Sequence, residues 1–168
     1  MRTRIVGLAF VLGLVAVGVA VAGVNRNWST HANGTLEVPA RDTNAQAQAI
    51  FNLSKDATEL EYKLTASNIE NVVQAHIHAG VPGVNGGIGV FLYGLVPAGG
   101  GRTDGVLSQG TITAGDFIGP FAGMSVAQVA ALMDAGQAYV NVHTNDGVGA
   151  VNTGPGDFPG GEVRGDIR

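Results

Sequence analysis

Two histidines one residue apart, in Ala75-His76-Ile77-His78-Ala79-Gly80, and a third in Tyr139-Val140-Asn141-Val142-His143-Thr144, are the residues of this chain whose type and spacing imply chemistry most directly. Side chains on a β-strand alternate faces. Ala75, Ile77 and Ala79 therefore point one way and His76 and His78 the other, while Val140 and Val142 point inward and Asn141 and His143 outward. An i, i+2 pair on a strand has its bases about 7 Å apart, two rises of roughly 3.3 Å, and both imidazoles can bend onto one ion at a metal–nitrogen distance of about 2.0 Å. The chain has only 4 histidines, and three of them in this arrangement point to a metal site made of His76, His78 and His143. An all-imidazole donor set favours Cu(II) or Zn(II), and copper heads the divalent affinity order. Copper is thus the expected ion, with zinc as the alternative. Ordinary imidazoles lose such an ion to protons below about pH 6. The competing reading makes His76 and His78 solvated outer-face residues and His143 a hydrogen-bonding one.

The other candidates carry weaker signals. His31, in Ser29-Thr30-His31-Ala32, also points outward and reads as a surface histidine, with a fourth ligand as the sharper alternative. Glu162 and Arg164 share one strand face, which suggests a cross-strand ion-pair ladder. The sharper alternative puts Arg164 near the metal as an anion-attracting group, or makes Glu162 an acceptor for an imidazole N–H. Asp146 and Asp157 lie in Asn- and Gly-rich loops and read as turn residues. No G-x-S-x-G elbow is present, and the run Pro97 to Arg102 lacks the lysine and hydroxyl of a phosphate loop.

The elements that must position the histidines are short and strand-like. Apolar alternation predicts strands over Trp28 to Ala32, Ala45 to Leu53, Glu59 to Ala66, Val72 to His78, Ile88 to Tyr93, Val106 to Ile112, Ala138 to Thr144 and Glu162 to Ile167, with turn-rich pieces at Ser54 to Asp56, Val81 to Gly87 and Pro97 to Gly105. The 27 glycines show no period of three and read as tight turns and long loops. One helix is predicted after Ser125, which with Gln128 forms a capping box; Val126, Val129, Leu132 and Met133 share a face and Gly136 supplies the stop. The expected fold is all-β, an antiparallel, Greek-key-like β-sandwich with one short covering helix that delivers the chain into the His143 strand.

The N-terminus reads as an export signal over residues 1–22: Arg2 and Arg4, an apolar run from Ile5 to Val19, and an A-x-A site at Ala20-Val21-Ala22. The alternative is an uncleaved N-terminal anchor, since the apolar stretch continues to Val24. Either way the folded part is expected outside the cytoplasm, free of the membrane once the signal is cleaved. The chain carries 9 Lys and Arg against 13 Asp and Glu, and two of the arginines fall in the signal. The mature domain is therefore acidic, which argues against nucleic acid and anionic lipid as partners. With no cysteine, disulfides, thiolate metal sites and cysteine nucleophiles are excluded.

The segments AHIHAGVPGVNGGIGVFLYG, GTITAGDFIGP, AGQAYVNVHT and GGEVRGDIR, in this order, together with Leu36-Glu37-Val38-Pro39 and FNLSKDATELEYKLTASNIENV, resemble the CHRD domain, named after chordin. The resemblance covers residues 28–168 and implies a β-sandwich of extracytoplasmic proteins. The strand-borne His-x-His is also similar, locally, to copper-zinc superoxide dismutase, and that likeness suggests superoxide as a small oxidant for an open copper position. The chain lacks the disulfide, the zinc histidine cluster and the bridging imidazole of those enzymes, so dismutation here is expected to be copper-only. A non-catalytic extracellular interaction module, or a copper storage or delivery protein, are the alternatives.

Overall fold

The structure is a computed structural model that describes residues 26–168; the export segment expected over residues 1–22 lies outside the described residues. Eight strands form: β1 (Asn27–Asn33), β2 (Gln46–Leu53), β3 (Leu60–Glu70), β4 (Val72–Ala79), β5 (Ile88–Gly94), β6 (Arg102–Ile112), β7 (Ala138–Thr144) and β8 (Val163–Asp166), with one α-helix, α1 (Val126–Asp134). All pairings are antiparallel. The fold class is the expected one, all-β with a single short helix. The strands join in one continuous ladder, β5-β4-β7-β8-β1-β2-β3-β6, which curls until its two ends nearly meet. There the Tyr62 hydroxyl of β3 donates to the Leu92 carbonyl of β5 at 2.7 Å, a side chain spanning the gap that the ladder leaves.

Alternation builds the interior. In β2 every second residue, Ala47, Ala49, Phe51 and Leu53, is buried, as the period of two requires. The strand limits agree with the sequence expectations to within a few residues except in β3 and β6. β6 begins at Arg102, inside the stretch read as a turn, because it follows β3 through register shifts between Leu64 and Thr65 and between Ala66 and Ile69. An irregular ladder of this kind breaks the alternation by which a strand is recognised.

The helix forms as its caps dictate. The Ser125 hydroxyl accepts from the Gln128 N–H at 3.2 Å and Gln128 Oε1 accepts from the Ser125 N–H at 2.8 Å. Gly136, at φ 66, makes the left-handed stop that side chains resist. Val126, Val129, Ala130 and Met133 are buried. The Trp28 indole N–H donates to Asp134 at 2.9 Å, tying the helix end to β1 just before the chain enters β7.

β7 is buried along its whole length, and this matters most for function. One face, Val140 and Val142 with Ala75 and Ile77 of β4, lies in the hydrophobic core. The other face, which the sequence marked as outward-facing, is roofed by the loops around residues 81–87 and 145–161 and by Glu37. Polar side chains there are shut away from water.

Candidate metal centre

Register brings the three histidines together. β4 and β7 pair with His76 opposite Asn141, His78 opposite Tyr139 and Gln74 opposite His143, so His76 and His143 are diagonal neighbours on one face, within reach of each other. The β4–β5 ladder shifts register on either side of the His76–Ile77 pair, a distortion that re-aims side chains. Ligand atoms of His76, His78 and His143 all lie within 4.8 Å of one another. Their residues are 0%, 7% and 6% exposed, so the solvated reading does not hold.

Hydrogen bonds fix which nitrogens are free. A carbonyl only accepts, so His143 Nδ1, 2.8 Å from the Pro159 oxygen, and His78 Nδ1, 3.0 Å from the Gly86 oxygen, each carry the proton. Both rings are left with an Nε2 lone pair. His76 Nδ1 lies 3.0 Å from His143 Nε2, and His76 Nε2 is buried with no hydrogen-bond partner. Its ring stands edge-on to Phe91, 4.4 Å between centroids.

Asn141 bridges His78 and Glu37: its amide is 3.1 Å from His78 Nε2 on one side and 3.1 Å from Glu37 Oε1 on the other. A neutral imidazole has one N–H, and that of His78 is spent on Gly86. In the structure Asn141 Nδ2 donates to Glu37 Oε1 and Oδ1 faces His78 Nε2; exchanging the amide oxygen and nitrogen lets Nδ2 donate to the His78 Nε2 lone pair, a contact that a bound ion would displace. Burial pushes the Glu37 carboxyl up against the opposing pull of the Asn141 amide.

The same burial keeps the imidazoles neutral. Desolvation, reinforced by the His143 and His78 rings, lowers His76 to about 3. Desolvation lowers His143 to about 4 against the pull of the Pro159 carbonyl, and His78 is lowered for the same primary reason. The lone pairs thus stay available well below the pH of about 6 expected for ordinary imidazoles. Stability follows with a definite sign. The unfolded chain takes up protons near pH 6.5 while the folded site refuses them, so stability is full above about 6.5 and is lost as pH falls toward the lowered values. The thermal midpoint of the metal-free protein is expected to fall steeply between about pH 6.5 and 4, and to fall less in a His76→Gln, His143→Gln variant. Equal pH dependence in the two proteins contradicts the assignment.

The remaining candidates are placed as follows. His31 is exposed on β1 and is not one of the clustered histidines. Glu162 and Arg164, both 0% exposed, form no ladder with each other. The Glu162 carboxyl accepts from Thr43 Oγ1 and Thr144 Oγ1, each at 2.6 Å, and from the Gly156 N–H at 2.9 Å. It touches no imidazole, but it anchors the loop whose Pro159 carbonyl holds His143. Asp157 is a turn residue as expected, accepting from the Thr153 N–H and hydroxyl. Arg164, on β8, pairs directly with Asn141 of β7, its guanidinium carbon 3.6 Å from the Tyr139 ring centre. Tyr139, Asn141 and Glu37 were not singled out from sequence. The i, i+2, i+4 spacing of Tyr139, Asn141 and His143 on one strand face held the signal for the first two, whereas Glu37 reaches the site from 104 residues away.

Comparison with known proteins gives one assignment. The family described as CHRD domain matches residues 28–167. No curated protein and no solved structure matches the chain.

Proposed function

We propose, from the premise that this chain belongs to the CHRD domain family, that it is an extracytoplasmic copper-binding domain whose single site is made by His76, His78 and His143. The observation that carries this reading is the 3.0 Å approach of His76 Nδ1 to His143 Nε2 beside a third imidazole whose Nε2 meets only the Asn141 amide. Two nitrogens bound to one ion at about 2.0 Å and subtending 90–110° lie roughly 2.8–3.3 Å apart, so this spacing, without an ion that of a hydrogen bond from His76 Nδ1–H to His143 Nε2, also suits a chelate once the proton is displaced. Donor chemistry agrees, since three neutral imidazoles with no thiolate or carboxylate suit Cu(II) ahead of Zn(II). His143 and His78 each have the second nitrogen fixed by a carbonyl, the outer-shell support that orients metal-bound imidazoles.

Bound copper supplies one-electron chemistry by alternating between Cu(II) and Cu(I), and superoxide dismutation is the activity we assign to it. The chain's part is to hold the three nitrogens, keep the rings unprotonated and exclude bulk water. A second reading, copper storage or delivery without turnover, is favoured by the near-complete burial of all three ligands. The export signal expected over residues 1–22 supports an extracytoplasmic location. Among the described residues no helix is long and apolar enough to cross a membrane.

Copper-loaded, metal-quantified protein is expected to accelerate superoxide loss in pulse radiolysis, and to keep doing so with a chelator too weak to strip the bound ion. Full occupancy with no acceleration selects storage. Activity that the weak chelator removes belongs to stray copper.

A further inference from the structure

Arg164 is the one arginine among the described residues that is completely buried, and burying a guanidinium is costly unless its N–H groups are paired. What it pairs with is specific. Nη1 donates to the Val84 carbonyl and Nη2 to the Val81 carbonyl, both at 3.0 Å. A longer contact at 3.4 Å reaches Asn85 Oδ1, and another at 3.4 Å reaches Asp166. The planar fork of an arginine thus grips the backbone of the segment that leads into Gly86. Gly86 in turn makes two contacts with the site: its carbonyl accepts from His78 Nδ1 at 3.0 Å, and its N–H donates to the Tyr139 hydroxyl at 3.1 Å. A side chain at position 86 would put Cβ 1.5 Å from the Ala79 carbonyl oxygen, so the loop can approach β4 this closely only with glycine there.

Tyr139 completes the arrangement. Its ring is stacked on His78, 4.8 Å between centroids and 10° between planes, and Arg164 lies 3.6 Å over the same ring. A guanidinium and an imidazole at those distances cannot share one face of a phenol, so Tyr139 lies between them. Arg164 is therefore behind His78, screened from the metal-facing nitrogen by an aromatic ring. It is not poised to draw an anion to the ion.

We propose that Arg164 and Tyr139 are positioning residues for His78, with Arg164 clamping the 81–86 segment so that the Gly86 carbonyl and the Tyr139 ring fix the orientation of the imidazole. The proposal rests on His78 being a metal ligand, but its test does not. The probe is the exchange rate of the two ring Nδ1–H protons, His78 to Gly86 and His143 to Pro159, by NMR on 15N-labelled metal-free protein. In Arg164→Met the His78 proton is expected to exchange at least tenfold faster while the His143 proton is unchanged. Arg164→Lys, which keeps the charge but cannot span two carbonyls, is expected to behave in the same way and serves if the methionine variant does not fold. Both substitutions should weaken copper binding by about 10–100-fold, the usual effect of losing an outer-shell partner, with no added dependence on salt. Unchanged His78 exchange, or equal loss of both protons, overturns the proposal. A selective His78 response in a protein that takes up no copper supports the clamp and sinks the metal reading instead.

Discussion

Replacing His76 and His143 together with alanine is expected to abolish tight copper binding. These two rings supply the closest nitrogen pair of the cluster, at 3.0 Å, and with both gone His78 is a single imidazole without a chelate partner. A complete protein donor set binds with an apparent free energy on the order of 10 kcal/mol, so losing two of three ligands should cost at least roughly a thousandfold in affinity. Isothermal titration of apo protein with Cu(II) measures this, with zinc as a weaker competitor for the same site. Alanine also leaves space in a packed region. A His76→Gln, His143→Gln pair, closer in volume, separates lost ligation from lost folding. A variant that folds and still binds one copper as tightly as the wild type removes His76 and His143 from the site.

The largest stability effect is expected at Glu162, which coordinates no metal in this account. Its carboxyl is the common acceptor for Thr43, Thr144 and the Gly156 N–H, and Thr144 Oγ1 passes the network on by accepting from the Phe158 N–H at 2.9 Å. Leucine at position 162 would fill similar space and strand three donors away from water. At about 1–3 kcal/mol for each stranded group, the loss is on the order of 4 kcal/mol. That corresponds to a thermal midpoint lower by roughly 10 °C in a domain of this size. Glu162→Gln keeps one acceptor oxygen and should fall between the two. Because the same network holds the loop carrying Pro159, Glu162→Leu should also weaken copper binding through His143. A leucine variant as stable as the wild type shows that the network carries no net stability.

Much of this was legible in the residues. The strands β2, β4, β5 and β7 show through the period-two alternation, and the helix shows through Ser125, Gln128 and Gly136, because these signals are local. The candidate metal-site residues were legible for the same reason: His76 and His78 share a face by spacing alone, and His143 ends a strand of the same kind. What could not be read is what covers that face. Alternation assigns a side chain to a face and is silent on whether water or a loop lies beyond it. The histidines, Glu162 and Arg164 all read as outward-facing, and the structure buries them. The consequences follow from burial: imidazoles lowered to about 3 and 4 at His76 and His143, an arginine used as a clamp, and a carboxyl used as a hub. The partners that set the tautomers, the Gly86 and Pro159 carbonyls, are backbone atoms with no side-chain signature. The continuous curled ladder was equally out of reach, since it depends on pairings such as β8 with β1 and β3 with β6 that join distant segments.

The central claim is that three imidazoles on one buried sheet face hold a single copper ion. Electron paramagnetic resonance of copper-loaded protein, with copper counted per chain, tests it most directly. The account predicts one Cu(II) per chain with hyperfine coupling to three imidazole nitrogens, reduced to two in His78→Gln, and a spectrum that persists below about pH 6 because the site resists protonation. A spectrum of oxygen ligation, or one indifferent to substitution of His76, His78 and His143, would contradict it.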